Sequence, residues 1–205
     1  MTNKVGFFKR LKELSFAQKQ LFAVALCQRM YPNYQLFSEV CEFGDSKVLD
    51  TVLNLLWQSL YDRKLKLNFD IYLDRLNLVS PEPENFDVFG VYPAMDAVTA
   101  LIALLSAIES KQEEDLVNIS KLSSSTVASY IETVCQDELS SIFDQNAVED
   151  FIFNHEFMLE EKEVQGMLLN AIEEHPFMSA DFIKELRKEI IDGGVSNIGI
   201  ERQAQ

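Results

Sequence analysis

The sequence predicts an all-α protein, a compact multi-helix bundle of roughly eight helices around a central apolar helix near residues 94–110. Three observations support this fold class. Apolar residues recur at spacings of three and four along most of the 205-residue chain. Glycine (7) and proline (5) are scarce, whereas all-β folds need many turns. Only residues 64–69 alternate as a strand does, and this stretch is too short and isolated to imply a sheet.

The first predicted helix begins at a capping box. Ser15 is followed three residues later by Gln18, and an apolar face then continues to Met30. The segment Tyr31-Pro32-Asn33 predicts a break, because proline disfavours the α conformation in the residue before it. A short second helix is therefore expected to begin at Tyr34.

Polar residues and glycine mark the next boundaries. The short helix is expected to stop at Gly44, since glycine readily takes the conformation that ends a helix. Asp45 is the predicted cap of the following helix, and Asn68 or Asp70 begins another. The loop at 80–86 contains two prolines and is the clearest in the chain. We predict a single domain over residues 1–205, with this loop as the boundary if two subdomains exist.

The second half of the chain predicts long helices. Pro93 suits the first turn of the central helix, whose apolar run of 97–108 is shorter than the roughly 20 residues that span a bilayer. Further helices are predicted over about 113–136 and 148–174, the latter ended by a proline. Ser179 is the predicted cap of a last helix, which Gly193-Gly194 stops.

Charge is unevenly distributed in this acidic chain. The formal net charge of −15 disfavours direct binding to nucleic acid, which requires clustered lysine and arginine. Acids concentrate in residues 137–174, and bases in residues 1–20. The two regions could meet within one molecule, between two copies or with a partner, although a solvated helix face is the simpler interpretation. The bases of the N-terminal region are Lys4, Lys9, Arg10, Lys12 and Lys19, against the single acid Glu13.

Cysteine usage predicts a cytoplasmic location. Cys27, Cys41 and Cys135 are odd in number and far apart, which is typical of a reducing compartment. The N-terminal sequence has no apolar stretch of the kind that a secretory signal requires. We therefore expect neither secretion nor insertion in a membrane.

The two histidines do not form a known metal motif. A dimetal helical bundle needs a glutamate three residues before each metal-binding histidine. Isoleucine occupies that position before both His155 and His175. A zinc-peptidase HExxH motif fails because Leu159 occupies the position of its second histidine. Glycine-rich nucleotide loops are also missing, so the sequence predicts no metal, cofactor or catalytic residue.

A nucleophilic cysteine paired with a histidine stays open, because the fold could bring such a pair together. Cys27 and Cys135 both lie in apolar periodic segments, however. The usual role of cysteine in that setting is a small buried hydrophobe.

Three segments combine proline or glycine with tyrosine or asparagine: residues 27–34, 89–96 and 196–200. Turn formation, with tyrosines anchoring the loops, is the simpler interpretation. The alternative is that these segments converge on one groove that binds a small ligand. The residues predicted to line such a groove are Arg29, Tyr31, Asn33, Tyr92, Asp96 and Asn197.

The same segments carry a family resemblance. CQRMYPNY at 27–34, FGD at 43–45, NFD at 68–70, FGVYPAMDA at 89–97 and SNIGI at 196–200 resemble the YjaG-like family, bacterial domain-of-unknown-function family 416. The resemblance follows the chain order over nearly its whole length and is weakest around 147–174. It implies a small helical protein of the bacterial cytosol, and it implies no activity, cofactor or catalytic residue.

The favoured functional hypothesis is a non-enzymatic interaction or regulatory protein. Its partner would be an unknown protein or a second copy, the latter packed on the basic segment that contains Phe7 and Phe8. One alternative is a small-ligand binder or enzyme with its site at the segments around Tyr31, Tyr92 and Asn197. A weaker alternative is that the acidic surface of residues 137–174 binds a basic protein.

Overall fold

The computed structural model describes residues 6–201, which contain ten α-helices, one 3₁₀ turn and an isolated β-bridge between Val195 and Glu201. The all-α prediction is confirmed, with slightly more helices than expected. In chain order the helices are α1 (Phe7–Glu13), α2 (Phe16–Val40), α3 (Ser46–Ser59), α4 (Phe69–Val79), α5 (Val91–Ser110), α6 (Glu113–Val134), α7 (Gln136–Ser140), α8 (Gln145–Asn154), α9 (Glu156–Glu174) and α10 (Ala180–Gly193), with the 3₁₀ turn at Pro83–Asn85.

Helix α5 lies in the interior, as predicted, and packs against α2, α4 and α6. The exposed residues of α5 are Tyr92, Thr99 and Ser106, which are seven positions apart, and the two residues at its C-terminal end. By length and composition alone α5 could cross a membrane, but 56% of its most apolar window is buried inside the bundle. Such burial is typical of the core helix of a soluble protein.

Helix α2 is the second interior helix, and the predicted break at Tyr31-Pro32-Asn33 is wrong. Pro32 lies inside α2 and is buried. Proline within a helix costs about 3 kcal/mol. Seventeen residues of α2 are buried, and the helix packs against α3, α5, α6, α9 and α10. Tertiary packing of this extent outweighs the one hydrogen bond that proline removes.

The predicted helix over 148–174 is also wrong in one respect, because His155 divides it into α8 and α9. His155 has extended backbone angles (φ −65°, ψ 146°), and its Nδ1 accepts a hydrogen bond from the Phe157 amide at 3.3 Å. The histidine therefore caps α9.

The predicted helix end at Gly44 also differs from the structure. Helix α2 ends at Val40, although Gly44 does adopt a positive φ of 68° in the loop that follows.

The main hydrophobic core takes residues from both sides of the 80–86 loop. Leu76 and Val79 precede the loop, Val91 and Ala94 follow it, and all four belong to one buried cluster. A smaller cluster packs the C-terminal segment against α6 and α9, and it consists of Val127, Ile131, Met158 and Ile198.

Oppositely charged residues meet within one molecule. Arg10 pairs with Glu173 at 2.5 Å, and Lys19 pairs with Glu113 at 2.5 Å. The N-terminal basic region is thus partly neutralised by α6 and α9 of the same chain. Lys4, the first base of that region, lies outside the described residues.

The predicted helix caps are confirmed at four positions. The Ser15 hydroxyl accepts from the Gln18 amide while the Gln18 side chain accepts from the Ser15 amide at 3.0 Å, which completes the capping box. The side chains of Asp45, Asn68 and Ser179 cap α3, α4 and α10.

Ser15→Ala tests how much the capping box contributes. We expect the free energy of unfolding to fall by about 1 kcal/mol, because an amide at the start of α2 loses its acceptor. Urea denaturation measures the change. Ser106→Ala, at an exposed site in mid-helix, should stay within about 0.5 kcal/mol of wild type; equal losses in the two variants would contradict the role of the cap.

Candidate functional site

The structure brings three of the six predicted groove residues into one buried hydrogen-bonded cluster. Asn33 Nδ2 donates to Asn197 Oδ1 at 2.9 Å, and Asn197 Nδ2 donates to the Ser123 carbonyl at 3.1 Å. Arg29 Nη1 lies 2.6 Å from Glu161 Oε2, while the Ser123 hydroxyl donates to Glu161 Oε1 at 2.6 Å. We call these residues, together with Gln165, the polar centre.

A buried ion pair lies at the middle of the polar centre. The Glu161 side chain is fully buried, and the Arg29 side chain is 10% exposed. Besides Arg29 and Ser123, Gln165 Nε2 donates to Glu161 Oε1 at 2.6 Å. Such a charge is tolerated in a protein interior only when it is paired and hydrogen-bonded, as it is here.

The C-terminal segment reaches the polar centre through a tight turn. The Ser196 hydroxyl accepts from the amides of Ile198 and Ile200 at 3.2 and 3.1 Å. Gly199 takes a positive φ of 81°, which allows the turn to close. The turn directs Asn197 inward, where its side chain joins α2 to α6.

The other three predicted residues, Tyr31, Asp96 and Tyr92, differ from one another in burial and in contacts. Tyr31 is buried within α2. Asp96 Oδ2 accepts from the Thr126 hydroxyl at 2.7 Å, and burial raises the pKa of Asp96 despite that bond. Tyr92 is 49% exposed and lies against Phe89, with ring centroids 6.1 Å apart. The shared groove stays a prediction. Arg29 pairs with Glu161, and Asn197 bonds with both Asn33 and Ser123, whereas the buried Oδ1 atom of Asn33 has no hydrogen-bond partner among the described residues.

Two grooves that the sequence did not predict lie on either side of α9. The first, the Phe8 groove, has a volume of about 590 Å³ and is lined by residues of α1, α6, α8 and α9. Its lining residues come from chain segments more than 100 residues apart, so no local pattern predicts it. The lining combines apolar residues with two lysines and several hydroxyl or amide groups: Phe7, Phe8, Phe153, Met158, Lys121, Lys162, Ser120, Ser124, Ser125 and Gln165.

The second groove, the Met167 groove, has a volume of about 490 Å³ and lies between α9 and α10. Arg29 is the one predicted site residue that lines it, and Glu161 already pairs with that guanidinium. The other lining residues are Glu160, Val164, Met167, Leu168, Ala171, Leu186, Glu189, Ile190, Gly193 and Val195.

A cysteine–histidine contact is present, but its geometry does not suit catalysis. Cys135 Sγ lies 3.5 Å from His155 Nε2. Because His155 Nδ1 accepts the hydrogen bond that caps α9, the neutral ring carries its proton on Nε2. That nitrogen then donates toward sulfur and cannot remove the thiol proton. Cys27 is fully buried, and burial raises the pKa of its thiol.

We expect Cys135 to react slowly with iodoacetamide at neutral pH. Burial, and then the carboxylates of Glu138 and Glu156, raise the pKa of its thiol. Since only the thiolate is nucleophilic, the alkylation rate should rise with pH through a midpoint above about 8.5, the value of a free cysteine. Peptide mass spectrometry locates the label. The double variant Glu138→Gln, Glu156→Gln should lower the midpoint, and a wild-type midpoint below 8.5 would contradict the prediction.

Acidic side chains do not converge on a metal site in residues 6–201, where no group of three or more His, Cys, Asp or Glu could hold an ion. The paired carboxylates along the acidic helices point to different sides, because adjacent helical positions differ by about 100°.

Comparison with known proteins identifies relatives along nearly the whole chain. A family model described as "Protein of unknown function (DUF416)" matches residues 6–201. The chain is similar to the uncharacterized protein YjaG of Escherichia coli K12, with 34% identity over 192 residues, which cover 93% of this chain and 94% of YjaG. It is also similar to an uncharacterized protein of Haemophilus influenzae, with 34% identity over 195 residues, which cover 94% and 95% of the two chains.

A solved structure resembles the whole fold. The crystal structure of a DUF416 family protein from Shewanella baltica OS155, at 1.91 Å resolution, has 63% sequence identity and a TM-score of 0.91. The match covers 97% of this chain and 100% of that one. The chain therefore belongs to the DUF416 family, whose function is unknown, and the resemblance carried by its boundary segments is confirmed.

Proposed function

We propose that the protein is a non-enzymatic interaction protein of the bacterial cytoplasm, whose Met167 groove binds a basic amphipathic helix of a partner protein. The observation that carries this proposal is the combination of an apolar floor and an acidic rim along two neighbouring helices. An apolar groove between helices is a common docking site for the apolar face of a third helix.

The floor of the groove follows the spacing of a helix face. Val164, Leu168 and Ala171 of α9 succeed one another at intervals of four and three, and Ile190 of α10 lies opposite. Met167 is 56% exposed within this surface. Methionine is flexible and polarizable, and it is frequent in grooves that accept partner helices.

The rim of the groove is acidic. Glu160 and Glu189 both line it and are exposed. Arg29 adds little positive charge, because Glu161 lies 2.6 Å away. In a chain of net charge −15, this rim favours a partner whose polar face carries lysine or arginine.

The cytoplasmic location is supported by the thiols. Cys27, Cys41 and Cys135 are all free. Proteins of oxidising compartments usually pair their cysteines.

A synthetic peptide tests the proposal. The probe is an 18-residue amphipathic helix with leucines on one face and lysines on the other, and a matched peptide carries glutamate in place of lysine. Fluorescence anisotropy should show tighter binding of the lysine peptide, and weaker binding as salt is raised, because salt screens exposed charges. With methyl-labelled methionine, the NMR signal of Met167 should shift while that of Met158, in the Phe8 groove, should not.

Variants separate the groove from non-specific charge attraction. Met167→Asp should weaken binding about tenfold or more, since it places a charge on an exposed apolar surface that the partner helix would cover. Leu78→Asp adds the same charge at an 81% exposed site on α4 and should leave binding within about threefold, because surface charge acts weakly at a distance. Equal losses in the two variants, or no preference for the lysine peptide, would refute the proposal.

Self-association through the N-terminal segment that contains Phe7 and Phe8 is a separate proposal. Phe7 packs toward the core, with its ring 6.2 Å from that of Phe22, and Phe8 is 44% exposed. Light scattering across a range of protein concentrations tests it. A strict monomer at all concentrations would exclude a dimer built on this segment.

A further inference from the structure

The Phe8 groove is distinct from the proposed docking groove in both shape and charge. Its volume of about 590 Å³ lies within the range of about 300–1,000 Å³ that is usual for small-molecule sites. Aromatic rings from α1 and α8 and the Met158 side chain from α9 supply its apolar walls. The groove therefore suits an apolar body of small-molecule size.

The charge in this groove is positive, although the whole chain is strongly acidic. Lys121 of α6 and Lys162 of α9 line it, and no carboxylate belongs to its lining. Lys121 Nζ donates to Asn118 Oδ1 at 2.9 Å, and Lys162 Nζ donates to the Phe153 carbonyl at 2.6 Å. Neither ammonium has an ion pair with an acid among the described residues; instead, Lys162 Nζ lies over the Phe153 ring, 2.8 Å from its centroid, and Lys121 Nζ lies 5.9 Å from the Phe8 centroid.

The Lys162 ammonium has neutral partners, the carbonyl and the ring of Phe153. Burial lowers the pKa of Lys162, because the ammonium loses contact with water there. An anion bound beside it would restore a favourable partner for the charged form. A negatively charged ligand would therefore favour the charged form of Lys162.

Hydrogen-bond donors lie beside the lysines. Ser124 Oγ accepts from Gln165 Nε2 at 3.2 Å, so its own hydroxyl hydrogen is available to an anion. Ser125 follows it along α6 and is exposed in the same wall. Ser124 and Ser125 lie three and four residues after Lys121 on α6, so the donors of all three share one helix face, which suits the two oxygens of a carboxylate.

From this arrangement we infer that the Phe8 groove binds an amphipathic carboxylate of the fatty-acid class. The alkyl chain packs against Phe7, Phe8 and Met158, and the carboxylate lies at Lys121 and Lys162. This inference does not depend on the Met167 groove. The ligand is a free carboxylate and not the surface of a membrane, since the groove takes a single chain between helices.

Three probes with the same ten-carbon chain and different head groups test the inference on the full chain: decanoate, decanol and decyltrimethylammonium. Isothermal titration calorimetry should show decanoate binding about tenfold more tightly than decanol, because a charged partner contributes more than a neutral one. The cationic probe should bind most weakly. Methyl NMR should show a shift at Met158 and none at Met167 on addition of decanoate.

The variant Lys162→Met keeps the apolar stem of the side chain and removes its charge. We expect it to bind decanoate and decanol with affinities within about threefold of each other, which removes most of the wild-type preference. Lys188→Met, at an exposed position of α10, removes the same charge elsewhere and should keep the preference. Lys121→Met provides a second test if Lys162→Met does not fold.

Several results would overturn the inference. One is equal binding of decanoate and decanol by the wild type, which would mean that the lysines do not recognise the carboxylate. Another is a loss of preference in Lys188→Met as large as that in Lys162→Met, which would indicate general charge attraction. A third is binding to vesicles of anionic phospholipid without binding of free decanoate, which would place the interaction at a membrane surface.

Discussion

Glu161→Leu should lower the free energy of unfolding by about 3–5 kcal/mol, a large part of the stability of a domain of this size. The substitution leaves Arg29 charged in a site where only 10% of its side chain is exposed. It also removes the acceptor of the Ser123 hydroxyl and one of the three acceptors of Gln165 Nε2. Urea denaturation followed by circular dichroism measures the loss.

A double variant distinguishes the cost of an orphaned charge from the value of the ion pair. Arg29→Met combined with Glu161→Leu removes both charges and should recover part of the stability, because an apolar pair of similar volume often replaces a buried ion pair without loss. Glu160→Leu changes the adjacent exposed acid and should stay within about 0.5 kcal/mol of wild type. A loss below about 1 kcal/mol in Glu161→Leu would show that the polar centre does not support the fold.

Gly44→Ala should cost about 3 kcal/mol, for two separate reasons. Gly44 has a positive φ of 68°, a conformation that costs a residue with Cβ roughly 1–2 kcal/mol. An added Cβ would also collide with the hydroxyl oxygen of Tyr34. That oxygen cannot move freely, because it donates to the Val79 carbonyl at 2.8 Å and is buried deeply enough to raise the pKa of Tyr34 to about 12.

Gly194 provides a matched control for the part of the loss that comes from placing alanine at a positive φ. It has nearly the same φ, 67°, but an added Cβ would come no closer than 3.7 Å to another atom. Gly194→Ala should therefore cost only about 1–2 kcal/mol. The double variant Gly44→Ala, Tyr34→Phe removes the colliding oxygen, and its loss should be smaller than the sum of the single losses. Equal losses at Gly44 and Gly194 would show that the collision contributes nothing.

The features that were predicted correctly depend on residues close together in the chain. The Ser15 and Gln18 side chains meet three residues apart, and the Ser179 cap acts on an amide equally near. The interior position of α5 was likewise predicted from its own residues, because a helix that is apolar on every side is usually buried. Local patterns of this kind are available from sequence alone.

The incorrect predictions concern residues whose behaviour is decided by distant parts of the chain. Pro32 remains in a helix because five other helices pack against α2. His155 divides a helical pattern because its ring can cap the next helix, a role that histidine fills less often than serine or aspartate. Neither outcome follows from the residues immediately around these positions.

The candidate sites needed the three-dimensional arrangement most of all. The boundary segments correctly included Arg29, Asn33 and Asn197, yet they did not indicate that Glu161 joins them, because this glutamate lies in an acidic run that looks solvated. The two grooves are formed by helices that are remote in sequence. Charge counts over segments therefore concealed both the buried acid and the unpaired Lys162.

The bond between Asn33 and Asn197 has a consequence for how the protein is made. The two residues are 164 positions apart, and all ten helices are synthesised before Asn197 is. Domains begin to fold from the N-terminus during translation. The helices that meet at the polar centre therefore acquire the bonds of Asn197 only after residue 197 has been synthesised. A nascent chain stalled before residue 195 should be more sensitive to protease than one stalled well beyond residue 201.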